Sequence, residues 1–165
     1  MRQYAIRPIA AQDVPFLWEM LYESLHVPDG QEPFARAIVR EPQLAKYVEG
    51  WGREGDAGCV AVGPDGQPIG SITARLYAEG DKSYGYVGSD APELGMALLP
   101  AHRGSGIGTA LLARLVEELR GRSVKRVSLS VDPRNAAAMA LYRRFGFEEV
   151  RKDGTSIVMV ANLDA

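Results

Sequence analysis

The stretch Leu98-Leu99-Pro100-Ala101-His102-Arg103-Gly104-Ser105-Gly106-Ile107-Gly108-Thr109 decides how this chain is read. It closes an apolar run, Glu93–Leu99, that reads as a strand ended by Pro100. It opens Ser105–Arg120, where Leu111, Leu112, Leu115, Val116 and Leu119 form a helical stripe. Glycines at 104, 106 and 108 let the backbone turn tightly and come close to a ligand. The first amides of a helix have no partner within it, and the helix dipole adds partial positive charge there. Such an end suits a phosphate or pyrophosphate, and Arg103 adds a forked cationic donor. A Rossmann fingerprint would need a third glycine where Thr109 stands. A P-loop would need Lys followed by Ser or Thr after its second glycine, which is absent. On this stretch alone, a plain glycine-rich turn stays open.

Towards the N-terminus, Tyr4–Arg7 alternates weakly before Pro8 and suits a first strand. Asp13 is placed to cap a helix over Val14–Leu25, with Leu17, Leu21 and Leu25, and Trp18 and Tyr22, at helical spacing. Short helices are expected at Pro33–Arg40 and Gln43–Val48. Gly58–Gly63 and Ile69–Tyr77 read as a hairpin about Pro64-Asp65-Gly66, and Ala78–Ala91 as a loop. Towards the C-terminus, Arg126–Val131 alternates as a strand and Asn135–Phe145 reads as a helix ended by Gly146. Phe147–Arg151 and Ser156–Val160 read as closing strands. The order is mixed α/β.

At 165 residues the chain reads as a single domain over 1–165, long enough to need no disulfide or metal staple. A net charge of −2 gives no sign of a nucleic-acid surface. The one cysteine, Cys59, sits in an apolar run and reads as a buried strand thiol, with a nucleophile as the alternative. Without a disulfide framework a reducing, cytoplasmic setting is expected. Met1–Pro8 lacks an apolar core of signal-peptide length, and no apolar stretch approaches the ~20 residues of a membrane helix. No clustered His, Cys, Asp and Glu spacing suggests a metal.

Two segments together carry a family resemblance. Arg103-Gly104-Ser105-Gly106-Ile107-Gly108 resembles the acyl-CoA motif of the GNAT superfamily, Gln/Arg-x-x-Gly-x-Gly/Ala. Asn135-Ala136-Ala137-Ala138-Met139-Ala140-Leu141-Tyr142-Arg143-Arg144-Phe145-Gly146-Phe147 resembles its second signature, Asn-x-x-Ala-x-x-Leu-Tyr-x-x-x-Gly-Phe. The resemblance spans Glu93–Phe147, about a third of the chain. It implies a central, mostly antiparallel sheet of about six to seven strands, with one splayed pair and flanking helices. It implies acetyl-CoA as co-substrate and no metal. The pantetheine arm would pair with the backbone of Met96, Ala97 and Leu98 in the splay, and the amides of Gly104, Ser105, Gly106, Ile107, Gly108 and Thr109 would hold the pyrophosphate. Asn135 would touch the cofactor near the pantetheine, and Tyr142 would face the acetyl sulfur. Helix geometry supports that last pairing independently: seven residues is nearly two turns, so Asn135 and Tyr142 lie within about 20° on one helix face. Core packing for Tyr142 and capping for Asn135 are the plain alternatives.

The reaction implied is attack of a neutral amine on a thioester. The amine belongs to a small molecule or a peptide. An acyl-CoA-binding module with little turnover is the alternative, and a homodimer is allowed for. Some relatives place a glutamate five residues before the motif's asparagine, where this chain has Ser130, a poor base. Others use a glutamate in the strand before the loop, acting through water, which makes Glu93 the candidate base; a solvated or hydrogen-bonded strand-end carboxylate is the plain alternative. His26, with Trp18, Tyr22 and Trp51, is a candidate lining of the acceptor cleft, with core packing the plainer reading of the aromatics, and His102 reads as exposed. Glu79, Asp81 and Asp90 could attract a cationic amine or be solvated loop carboxylates.

Overall fold

The computed structural model describes residues 3–164; Met1 and Arg2 of the leading Met1–Pro8 stretch lie outside the described residues. Seven strands form one sheet in the order β1-β2-β3-β4-β5-β7-β6. They are β1 (Ala5–Pro8), β2 (Ala57–Val62), β3 (Pro68–Arg75), β4 (Glu93–Leu98), β5 (Arg126–Val131), β6 (Glu148–Asp153) and β7 (Ser156–Asn162). Every neighbouring pair is antiparallel except β4 and β5. Those two meet at one register pair, Glu93↔Ser128, beside which the Ser128 N–H donates to Pro92 O at 3.0 Å. Beyond that point they diverge. The expected mixed α/β sheet with a splayed pair is the fold observed.

Alternation of side chains sorts the two faces. Cys59 and Ala61 of β2, Ile72 and Ala74 of β3 and Leu94 of β4 pack in one core cluster with Leu111, Leu112, Leu115, Val116 and Leu119 of α3 (Ile107–Gly121). The whole predicted leucine–valine stripe is buried there. Met139 and Tyr142 of α4 (Ala136–Arg144) join the same cluster. The other face carries α1 (Val14–Glu23), which buries Leu17 and Met20, and the single turn α2 (Pro42–Ala45). Cys59 is fully buried and burial pushes its thiol up, as a structural strand cysteine requires.

Several boundaries move. The helix expected over Val14–Leu25 ends at Glu23, and Asp13 does not cap it by side chain. Its carboxylate instead accepts from the Arg7 guanidinium at 2.8 and 3.0 Å and from the Ala10 N–H at 2.7 Å, tying β1 to α1. Pro33–Arg40 shrinks to a 3₁₀ turn, Arg36–Arg40, and Gln43–Val48 to the one turn of α2. Pro33 and Pro42 leave too little chain between them for a longer first helix. The segment after α2 is held against the sheet by a buried ion pair. Arg75 Nε and NH2 donate to Asp56 at 3.0 Å each, while its NH1 donates to the Lys46 and Glu49 carbonyls at 2.9 and 2.7 Å. The edge strand β6 is exposed throughout and carries Glu148, Glu149, Arg151, Lys152 and Asp153, charges that discourage edge pairing.

Candidate active site

The opening between β4 and β5 gathers most of the residues singled out from the sequence. The ladder between β3 and β4 fixes which backbone groups face it. The Leu99 N–H donates to Ile69 O at 2.9 Å, so odd-numbered positions of β4 spend their amides on β3. Met96 and Leu98 therefore turn their N–H and C=O towards the gap, whereas those of Ala97 face β3. The Leu98 carbonyl accepts from Arg103 Nε at 3.3 Å.

At the head of the gap, Gly104 and Gly106 adopt φ +73° and +85°, left-handed values that side-chain-bearing residues rarely hold. Helix α3 begins at Ile107, two residues later than expected, because Gly106 takes the N-cap position. No side chain caps it, and the Ala110 N–H is bonded to Gly106 O at 3.2 Å, so the amides before it point out of the helix tip. A Cβ placed on Gly108 would lie 3.5 Å from Met96 Cε and 3.7 Å from Leu141 Cδ2, and Arg144 donates to Thr109 Oγ1 at 3.2 Å. The first turn of α3, the gap side of β4 and helix α4 therefore converge.

Asn135 caps α4, its Oδ1 accepting from the Ala138 N–H at 3.2 Å. Tyr142 is 7% exposed and packs edge-to-face on Phe147, ring centroids 5.6 Å apart. Its hydroxyl makes no hydrogen bond within the described residues, and it is not sealed from solvent. Burial alone pushes this phenol up to about 12.

Arg103 does not reach out from the loop as an unpaired cation. Its NH2 pairs with Glu23 at the end of α1, 3.0 Å away, so the glycine loop is tied to the opposite layer. Nearby loop carboxylates are engaged too: Glu79 with Lys82 at 2.9 Å, Asp81 with Lys46, and Asp90 with Arg126 at 3.0 Å. A general role in drawing in a cationic amine loses support, because each carboxylate already has its cation. At the end of β5, Arg134 holds the Asp132 carboxyl at about 2, with a smaller pull from His26. His102 is half-buried before the loop. Trp18 and Tyr22 are half-buried rather than core, stacked under Arg40 and Arg36 at 3.8 and 4.6 Å, and they line an open cavity of about 620 Å³ between α1 and the Arg36–Arg40 turn. Trp51 lies under Arg75 at 5.2 Å.

Glu93 is 4% exposed and leaves β4 on the α1/α2 face. Its Oε2 accepts from the Tyr47 hydroxyl at 2.8 Å and its Oε1 from the Gly85 N–H at 2.9 Å. Burial raises its pKa, opposed by the Ser83 hydroxyl that faces it, by these two donors and by the charge of Arg151. Ser83 and Ser128 have hydroxyls sealed from solvent and without hydrogen-bond geometry to a described residue. Tyr47 and Gly85 carried no signal in the sequence. The only hint was a glutamate set between apolar neighbours, Pro92 and Leu94, which must find donors if its strand is buried.

Residues 16–147 match the model of the Acetyltransferase (GNAT) family. The chain belongs to this family. Among curated relatives, the ribosomal protein bS18 alanine N-acetyltransferase of Escherichia coli (strain K12) is 42% identical over 60 residues, 36% of this chain and 40% of that protein. The mycothiol acetyltransferase of Saccharomonospora viridis is 30% identical over 124 residues, 74% of this chain and 38% of that protein. The matches thus span about two-fifths of the length of these relatives. Among solved structures, the PaiA N-acetyltransferase of Thermoplasma acidophilum in complex with coenzyme A superposes with a TM-score of 0.70 at 20% identity, covering 98% of this chain and 99% of that one. At that identity the likeness speaks for the GNAT fold. No helix among the described residues is long and apolar enough to cross a membrane, and no group of three or more His, Cys, Asp or Glu among them is gathered as a metal would need.

Proposed function

We propose that this chain, a single domain over residues 1–165, is an N-acetyltransferase. It moves the acetyl group of acetyl-CoA to a primary amine of a small molecule or peptide, by direct attack in a ternary complex. The observation that carries this reading is the single-pair contact of β4 and β5 at Glu93↔Ser128, which opens the sheet directly below the uncapped tip of α3. The amides of Gly104–Thr109 would bind the pyrophosphate, with Arg103 anchoring the loop through Glu23 and Leu98. Met96 and Leu98 offer the strand edge that pairs with pantetheine, and Ala97 holds that strand to β3. Asn135 lies at the head of the helix that presents Tyr142.

The amine must attack as the free base. A lysine-like amine of pKa ~10.4 pays roughly 4.6 kcal/mol for this at pH 7, and an α-amine near 7.7 only about 1 kcal/mol. Glu93 takes the proton as the amine bonds to the thioester carbonyl. The Leu98 N–H, turned into the gap, would donate to the oxyanion. The C–S bond then breaks and the thiolate leaves. With Tyr142 held at about 12 and a thiol near 8.5, full proton transfer from the phenol would be uphill by about 5 kcal/mol. Tyr142 therefore acts as a hydrogen-bond donor that strengthens as charge grows on sulfur, and bulk water supplies the proton later.

Two measurements test the reading. Acetyl-CoA at 100 times its dissociation constant adds ~2.7 kcal/mol of stability, read as a rise in melting temperature, and NAD adds none. Thiol release is then followed with an alanine-first peptide, an aminosugar, a lysine derivative and a polyamine. The first stands for the alanine acceptor named in one relative's description. Stabilisation without thiol release from any amine would replace the transferase with an acyl-CoA-binding module. No stabilisation would remove both.

A further inference from the structure

The Glu93 carboxylate is held by two segments remote from it in sequence, and one side chain joins them. The Tyr47 hydroxyl donates to Glu93 Oε2 at 2.8 Å and accepts the Tyr84 N–H at 3.0 Å. The next residue, Gly85, donates its own N–H to Oε1 at 2.9 Å. Gly85 allows that approach: a Cβ there would stand 2.8 Å from Glu93 Cδ and 2.9 Å from the Leu129 carbonyl carbon. Just before Tyr47, Lys46 clasps the same loop through the Asp81 carboxylate and, at 2.9 Å, the Lys82 carbonyl. Its own carbonyl accepts from Arg75 at 2.9 Å, inside the buried Arg75–Asp56 pair. The Lys46–Tyr47 turn is thus fixed to the sheet on one side and to the β3–β4 loop on the other. A carboxylate can accept about four hydrogen bonds. These two donors fix its plane and leave a lone pair on each oxygen.

We propose that Tyr47 is a positioning residue for Glu93 in the transfer reaction, orienting the carboxylate that receives the amine proton. This rests on the reading of Glu93 as the base. The other groups facing Glu93 are Arg75 and Tyr77 from the β3 side, Ser128 from β5, Arg151 from β6 and Ser83 from the loop. Arg75 is committed to Asp56, and Arg151 acts through its charge. Tyr47 is the side chain whose hydrogen bond both orients the carboxylate and favours its ionised form.

The test is the pH dependence of kcat/KM for Tyr47→Phe beside Glu93→Gln, with the melting temperature of each. Glu93→Gln abolishes the enzyme-borne acidic limb and leaves only the one set by ionisation of the amine itself. Tyr47→Phe moves it to higher pH by about one unit, since the charged form loses a donor. It lowers kcat while leaving the KM for acetyl-CoA within twofold, because the cofactor groove lies on the α3/α4 side. A purely structural tyrosine would change the melting temperature and leave the limb in place. Should Tyr47→Phe fail to fold, site-specific 3-fluorotyrosine at position 47 keeps the shape and strengthens the donor, and the limb then moves to lower pH. An unmoved limb in the folded position-47 variant, with the limb lost in Glu93→Gln, overturns the role of Tyr47 and keeps Glu93 as base. An unmoved limb in Glu93→Gln overturns the base assignment itself.

Discussion

Glu93 and Tyr142 are 4% and 7% exposed and sit on opposite faces of one sheet, yet burial treats them differently. Tyr142 is enclosed by apolar packing, and desolvation is the only influence on its titration. Its proton is held tightly and its hydroxyl remains unspent within the described residues. Glu93 is enclosed by donors, so desolvation is opposed by hydrogen bonds from Tyr47 and Gly85 and by the charge of Arg151. A group kept neutral and unspent suits hydrogen-bond donation to a nascent thiolate. A group whose ionised form is partly supported suits the uptake of a proton.

The contrast breaks first at Glu93. Glu93→Gln keeps the shape and removes the basicity, and thiol release is expected to fall by about 10²- to 10⁴-fold at neutral pH. A loss below tenfold would leave the two groups without distinct roles. The alkaline stability of Tyr142 is the next largest effect. Its folded value of about 12 stands above the ordinary 10.0. The neutral phenol therefore contributes stability fully below pH ~10, lost as pH rises through ~12, and roughly 3 kcal/mol in size. Urea unfolding at stepped pH should show Tyr142→Phe losing less stability than the parent chain between those limits. Tyr47 and Tyr77 are common to both proteins, so the difference isolates Tyr142. The same variant should turn over about 10- to 100-fold more slowly, the worth of a hydrogen bond to a charged group. Its affinity for acetyl-CoA, read by calorimetry, should be unchanged. The smallest effect concerns the helix that carries the phenol. Asn135→Ala removes the cap on the Ala138 N–H and should cost about 1 kcal/mol in chemical denaturation.

The side of the sheet bearing Tyr142 was legible because its signals are local. Gly104 and Gly106 are needed where φ is positive, the α3 stripe repeats within one helix, and Asn135 and Tyr142 share a face by turn arithmetic. The side bearing Glu93 was legible only as a single glutamate. Tyr47 lay in a segment expected to be helical, and Gly85 in a loop without a pattern. Asp13, Arg103 and the loop carboxylates were read for their local roles; Arg103, Asp81 and Asp90 proved to be committed to partners on distant segments, whereas Asp13 and Glu79 pair with Arg7 and Lys82 close by in sequence.

By itself the sequence determined the strand–loop–helix that builds the uncapped tip of α3, the capped helix that carries Tyr142, and the periodicities that make a mixed sheet. Backbone conformation and helical phase are set by neighbours a few residues apart. Only the tertiary structure decided that β4 and β5 part after Glu93↔Ser128, which amides of β4 face the gap, and which side chains enclose the carboxylate. Those depend on strand register and on hydrogen bonds between residues 47, 85 and 93. Such contacts form when the sheet closes and brings distant segments together, and no local spacing encodes them.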